Sequence, residues 1–237
     1  MKVEPSGVEG VELIGPDAAE FGGAIEALVG GKPDEVLKPA LRYSVIARNH
    51  DLRAVALLGV RFDMAGRNAK AYSVVHYANT LRHPEQADLT PGSIRFVCAE
   101  PLYTDLVLRR GREVDRRALM NLENLRRMLR MRASIDCAAF TDGEFAGPDS
   151  LGAFDRLACE REAERALVED ILRSERPVED VLGEAMEEGA SRDYAVLARR
   201  TLARRLYAGF EAGGKNEAIE RARNHRLRLK LWRQEHA

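Results

Sequence analysis

The chain is poor in the residues that most often announce a chemistry. Of 237 residues, three are cysteine, five histidine and one tryptophan, and aromatics make up only 6%. Cys98, Cys137 and Cys159 are an odd number at wide spacing, which suits neither a disulfide framework nor the close Cys/His pairs of a zinc site. His50, His76, His83, His225 and His236 include no His-x-x-x-His or His-x-x-Glu-His pair, so no metallohydrolase core is indicated. A Gly-x-Ser-x-Gly elbow and a Gly-x-x-x-x-Gly-Lys-Ser/Thr loop are also missing, and no catalytic residues can be assembled. Net charge is -1, which argues against general binding to polyanions. No run approaches the roughly 18 apolar residues of a membrane span. The N-terminal MKVEPSGVEG lacks the apolar core of a signal peptide, so the expected compartment is cytoplasmic, or the exterior if a signal was removed.

What is present is a change of period near residue 150. Before it, apolar residues alternate, as in Ala54, Ala56, Leu58, Val60, Phe62 and Met64, the pattern of a strand with one face inward. Strands are expected near Val8–Ile14, from Leu41 to Arg48, over Ala54–Met64, near Ala71–Tyr77, over Ile94–Ala99, Leu102–Leu108 and Ser134–Phe140. Asn49-His50-Asp51 and Ala65-Gly66-Arg67-Asn68 supply turns. Tyr43, Phe62, Tyr77 and Phe96 are expected to point inward, and Cys98 and Cys137 to be small buried side chains on strands, with a Cys98–Cys137 bridge as the sharper alternative. Helices are expected at Ala18–Val29 and, with Leu119, Leu122, Leu125 and Leu129 on one face, at Asp115–Met131.

After residue 150 the period is 3.6. One helix is expected from Phe154 to before Pro177 and a second over Val178–Met186. A third is capped by Ser191 and broken at Gly213-Gly214, and a fourth spans Lys215–Gln234 with Trp232 pinning it to its neighbours. Residues 150–190 carry 12 acidic and 5 basic side chains and residues 191–237 carry 5 and 12, so the two halves hold -7 and +7. Helices so charged attract one another within a chain or between two chains.

The segment SVIARNHDLRAVALLGVRFDMAGR resembles the strand–turn–strand of immunoglobulin-like or fibronectin-like sandwiches, and LTPGSIRFV resembles the Leu-x-Pro-Gly turn that precedes an inward strand in them. A sandwich followed by FTDGEFAGPD and a charged helix is similar to uncharacterised bacterial proteins, often exported. The likeness spans residues 40–170 and brings no site residues with it. The Cys…Trp…Cys pattern of antibody domains is missing.

Two stretches could carry more than structure. In FTDGEFAGPD, Asp142, Glu144 and Asp149 fail the alternating oxygens of an EF-hand at Ala146, so the stretch reads as a corner in which Asp149 or Ser150 caps the next helix. The arginines at 109, 110, 112, 116, 117, 126, 127, 130 and 132, and those of the last helix, could meet phosphates. The expectation is therefore an α+β protein, with an N-terminal immunoglobulin-like antiparallel β-sandwich over residues 1–149 and an α-helical bundle over 150–237. Its expected role is that of a non-enzymatic interaction or structural module with no cofactor and no metal, partnered by itself or another protein; the alternative is a nucleic-acid-associated protein.

Overall fold

The computed structural model describes residues 1–66, 71–81, 87–108, 116–187, 191–225 and 231–233. It is a mixed α+β protein with about 44% helix and 27% strand, and its sheets are not closed. The chain divides into two compact units, one of Met1–Leu151 joined by Arg233 from the C-terminal end, the other of Gly152–Trp232.

In the first unit the elements run β1 (Lys2–Val3), β2 (Val11–Ile14), α1 (Phe21–Val29), α2 (Lys38–Leu41), β3 (Ser44–Asn49), β4 (Val55–Gly66), β5 (Ala71–Asn79), β6 (Ile94–Cys98), α3 (Pro101–Leu108), α4 (Arg116–Arg126), β7 (Met128–Phe140) and β8 (Phe145–Ala146). One sheet has the order β1-β7-β4-β5, with β8 also on β7, and the other the order β2-β3-β6. All pairs are antiparallel except β1 with β7, which is parallel. A single apolar cluster takes Val45, Ile46 and Phe96 from one sheet and Leu58, Val60, Phe62, Ile135 and Phe140 from the other. Burying such side chains stabilises the fold by about 1.5–3 kcal/mol each.

Several expectations are corrected here. Residues 101–108 form a helix instead of a strand. Pro101 stands at its first position, where its missing N–H leaves no donor unpaired. The Glu100 carboxylate accepts the Leu102 N–H at 3.4 Å in the manner of a cap, and the Thr104 hydroxyl ties the turn back to the Cys98 N–H at 2.8 Å. The leucine-faced helix stops at Arg126, because Met128 onward pairs with β4. Its buried face is Ala118, Leu122 and Leu125, whereas Leu119 and Leu129 are 52% and 64% exposed. In β5 the parity is reversed: His76 lies opposite Val60 and meets Phe62 edge-on at 5.6 Å, which turns Tyr77 to the other face, against Gly59. The hairpin turn expected at Ala65–Asn68 lies in part outside the described residues, as do Arg109, Arg110 and Arg112.

β7 is irregular where it matters most. Gly59 of β4 is opposite Cys137 and Val60 is opposite Ile135, so Asp136 is an extra residue in the ladder, a β-bulge. Met131, Ala133 and Ile135 face the core before it and Ala138 and Phe140 after it. The alternation shifts by one residue, and Asp136 and Cys137 come out together on the opposite face.

In the second unit α5 (Ala153–Arg173), α6 (Val178–Glu187) and α7 (Tyr194–Asn224) share an apolar cluster that includes Leu167, Ile171, Leu182, Leu202 and Leu206. The cap of α7 is Asp193, whose carboxylate accepts from the Ala195 N–H at 2.8 Å, and not Ser191. Gly214, at φ 70° and ψ −164°, breaks the helical path within α7. Helix ends at Asn224, and Trp232 lies outside it, 41% exposed. Opposite charges meet within the chain where Arg199 of α7 pairs with Asp170 of α5 at 3.2 Å. The His225 ring nitrogen lies 3.5 Å from the Glu164 carboxylate. Glu164 is also paired with Arg161 at 2.9 Å, with both side chains buried.

Emptying either core should be costly. Phe62→Ala is expected to lose about 3–5 kcal/mol and Leu206→Ala about 2–5 kcal/mol, read as lower denaturation midpoints at unchanged slope.

Candidate functional site

A cleft of about 1170 Å³ opens in the first unit beside the β3–β4 turn and the stretch after β7. The β3–β4 turn is built by Asn49. Its amide donates to the Arg53 carbonyl at 2.7 Å and the Leu89 carbonyl at 2.9 Å, and its oxygen accepts the Asp51 N–H at 2.9 Å. This locks the loop so that Arg53 projects across Phe140, its guanidinium carbon 4.1 Å from the ring centroid.

Three carboxylates hold that one guanidinium: Asp51 at 2.9 Å, Asp142 at 2.9 Å, and Glu144. The planar fork of arginine suits this multiple engagement. FTDGEFAGPD is thereby a β-hairpin corner: the Gly143 N–H donates to the Phe140 carbonyl at 3.0 Å, the Phe140 N–H to the Glu144 carbonyl at 2.8 Å, and β8 returns along β7. The hydrogen bonds from Arg53 hold Asp51 at about 2, below its ordinary 3.8. For Asp142, burial opposes the shift, yet hydrogen bonds from the Glu144 N–H and from Arg53 prevail and lower it. Arg53 is raised above its ordinary value, first by the hydrogen bond to Asp51. Leu52, at the tip of the turn, is 94% exposed.

At the other end of the cleft the chain turns at Gly147-Pro148-Asp149. Gly147 has φ 107°, and a Cβ there would lie 2.6 Å from the Asp136 carbonyl oxygen and 2.9 Å from the Cys137 Cα. Only glycine lets the corner lie this close on the bulge. Asp149 and Ser150 do not cap α5, whose N-cap is Gly152 without a side-chain bond. Asp149 instead donates its N–H to the Asp136 carbonyl at 2.9 Å, while Asp136 Oδ1 accepts the Ser150 N–H at 3.1 Å and its hydroxyl at 2.6 Å. The Asp149 carboxylate pairs with Arg233, which stands over the Phe145 ring at 4.9 Å.

The cysteines are all free thiols. Burial pushes Cys98 up to about 11. Cys137 is raised further, first by burial and then by the charges of Asp136 and Asp149. Asp136, Cys137 and Asp149 offer two carboxylates and a sulfur within 4.8 Å of one another.

Sequence reasoning picked out Asp142, Glu144 and Asp149 and read the stretch as a corner, but it gave Asp142 and Glu144 no partner and Asp149 a helix to cap. It missed Arg53 and Asp136 altogether. Arg53 carried a faint signal in the Asp-x-Arg spacing of a turn, whereas Asp136 carried one only as a lone acid inside an apolar strand. Among the arginines weighed for phosphate contact, Arg126 pairs with Glu123 and Arg221 with Glu217 at 2.7 Å. No family model, no curated protein and no solved structure matches this chain. Among the described residues, no helix is long and apolar enough to cross a membrane.

Two outcomes follow from the Arg53 network. Because the folded value of Asp51 is depressed, its stabilisation is complete above about pH 4 and is lost as pH falls through 2. Unfolding free energies measured from pH 5 to pH 2 should therefore fall in the native chain, and the fall should be shallower in Arg53→Ala. Gly147→Ala should cost stability out of proportion to one methyl, about 1–3 kcal/mol by denaturant titration.

Proposed function

We propose that the protein is a non-enzymatic interaction module that docks a basic segment of a partner protein in the cleft beside Arg53. One observation carries this reading: a single guanidinium is surrounded by three carboxylates, leaving a surplus of two negative charges next to an exposed leucine. Glu9 adds another carboxylate to the cleft wall. A partner lysine or arginine placed there would gain charge-assisted hydrogen bonds, and Leu52 would supply apolar contact. In this reading the two sheets are an immunoglobulin-like sandwich that serves as a rigid platform and the C-terminal helices are a bundle. Support comes from one apolar cluster drawn from both sheets and a second drawn from α5, α6 and α7. Sandwich platforms host many ligands, so the site and not the fold bears the proposal.

Self-association is a second reading, favoured by Leu119 and Met120 standing exposed on α4 with Leu129 exposed on β7. The -7/+7 division also bears on it, although one such pair, Arg199 with Asp170, closes within the chain. Binding to nucleic acid through the arginine-rich helices is the remaining alternative.

The test is fluorescence anisotropy with a labelled Lys/Leu peptide, an acidic peptide of equal length, and duplex DNA, each at low and high salt. The basic peptide is expected to bind, more weakly as salt rises. Glu9→Gln with Asp142→Asn should weaken it by about tenfold or more, since one charge-assisted hydrogen bond is worth ~1.4 kcal/mol or above. Equal binding of the acidic peptide, or no effect of the substitutions, would sink the cleft proposal. DNA binding with a steep salt slope would favour the nucleic-acid alternative. For self-association, light scattering should give a dimer mass that Leu119→Asp returns to the monomer.

A further inference from the structure

Asp136 has one carboxylate oxygen well provided for and one stranded. Oδ1 takes two donors from Ser150, whereas Oδ2 is buried and meets no hydrogen-bond partner among the described residues, in a residue only 1% exposed. Leaving a carboxylate oxygen in that state is costly, and buried polar atoms rarely remain so without a proton, water or cation to meet them. The bulge is what creates the situation. On a regular strand Asp136 and Cys137 would point to opposite faces, but here they emerge side by side beneath the corner that carries Asp149.

The cluster therefore gathers three groups that can each bear a negative charge, with their ligand atoms within 4.8 Å of one another. The Cys137 thiol is raised, by burial first and by both neighbouring carboxylates next. Among the described residues, the cation that approaches the cluster is Arg233, which pairs with Asp149.

We propose that Asp136, Cys137 and Asp149 form a binding site for one divalent cation of intermediate softness, zinc being the representative. The donor set selects the class. Two carboxylate oxygens and a thiolate suit zinc or cobalt, whereas calcium and magnesium favour oxygen-only shells. Bond lengths of about 2.1 Å to oxygen and 2.3 Å to sulfur put neighbouring donors roughly 3.5 Å apart in a tetrahedral shell. The present spread of up to 4.8 Å needs a closure of about 1 Å. Three protein donors leave the fourth position to water. Binding forms a metal–sulfur bond and releases the thiol proton to solvent, so one proton leaves for each ion bound. Entry is from the cleft: Gly147, Pro148 and Arg233 line it next to the cluster, and the Arg233 side chain is 41% exposed. The ion would tie the β7 bulge to the corner, with Arg233 as a competing positive charge. This site is separate from the carboxylates around Arg53, and it stands or falls independently of partner docking.

The experiment is a cobalt titration of the full chain followed by displacement with zinc. One ion per chain is expected, with a thiolate-to-cobalt charge-transfer band, one proton released per ion in weak buffer, and a higher melting temperature with zinc. Cys137→Ser should abolish the band and Asp136→Asn should weaken binding at least tenfold. Cys98→Ser and Cys159→Ser should leave the band in place. Arg233→Gln should tighten binding by removing the competing charge. Circular dichroism checks that each variant folds, and Asp149→Asn, on the corner, gives the same test if a strand variant does not fold. Absence of the band in the native chain, its survival in Cys137→Ser, or its loss in Cys159→Ser would overturn the proposal.

Discussion

The ladder between β4 and β7 is the constraint on which the first unit depends. It joins a strand of 12 residues to one of 13, both at the centre of their sheet, and it carries three register shifts along its length. A perfect ladder would keep every second residue on one face from end to end. Each shift moves the alternation by one, so the same strand can turn Ile135 and Ala138 to the core and still present Asp136 and Cys137 together on its other side. The corner at Gly147 lies on that bulge because no Cβ intervenes.

Charge is managed locally throughout. Arg53 is held by carboxylates that come from its own turn and from a hairpin about ninety residues later, so the contact closes a long loop and fixes the cleft wall. In the second unit, Asp170 of α5 pairs with Arg199 of α7, while Arg161 with Glu164 and Arg221 with Glu217 pair within their own helices. A formal charge near zero for the whole chain thus conceals an acidic stretch over residues 150–190, a basic one over 191–237, and a cleft with several carboxylates.

Much of the fold was legible because it follows from period. The alternation in β4 and the 3.6 spacing in α5 and α6 each reflect which side chains leave water, and these elements lie close to where the pattern places them. The failures have separate causes. The stretch Leu102–Leu108 carries β-branched and alternating apolar residues, but Pro101 and Glu100 supply a helix start that tertiary contacts then use. The leucine spacing from 119 to 129 crosses from helix to strand, since pairing with β4 outweighs continued helical hydrogen bonds. The wrong parity of Tyr77 came from counting along β5 without knowing its register against Val60. The site was less legible than the fold: Asp142 and Glu144 stood out, yet nothing local named Arg53 as the group that binds them.

By itself the sequence determined the class of structure, the division near residue 150, most elements and the turns of FTDGEFAGPD. These depend on the preferences of neighbouring residues and on which face of each element is apolar. Only the tertiary structure decided that Asp136 bulges, that Cys137 shares its face, that Asp149 turns to Arg233 instead of capping a helix, and that three carboxylates converge on Arg53. The reason is physical. A register shift and a long-range ion pair are properties of two segments at once, and neither segment alone carries the energy that selects them.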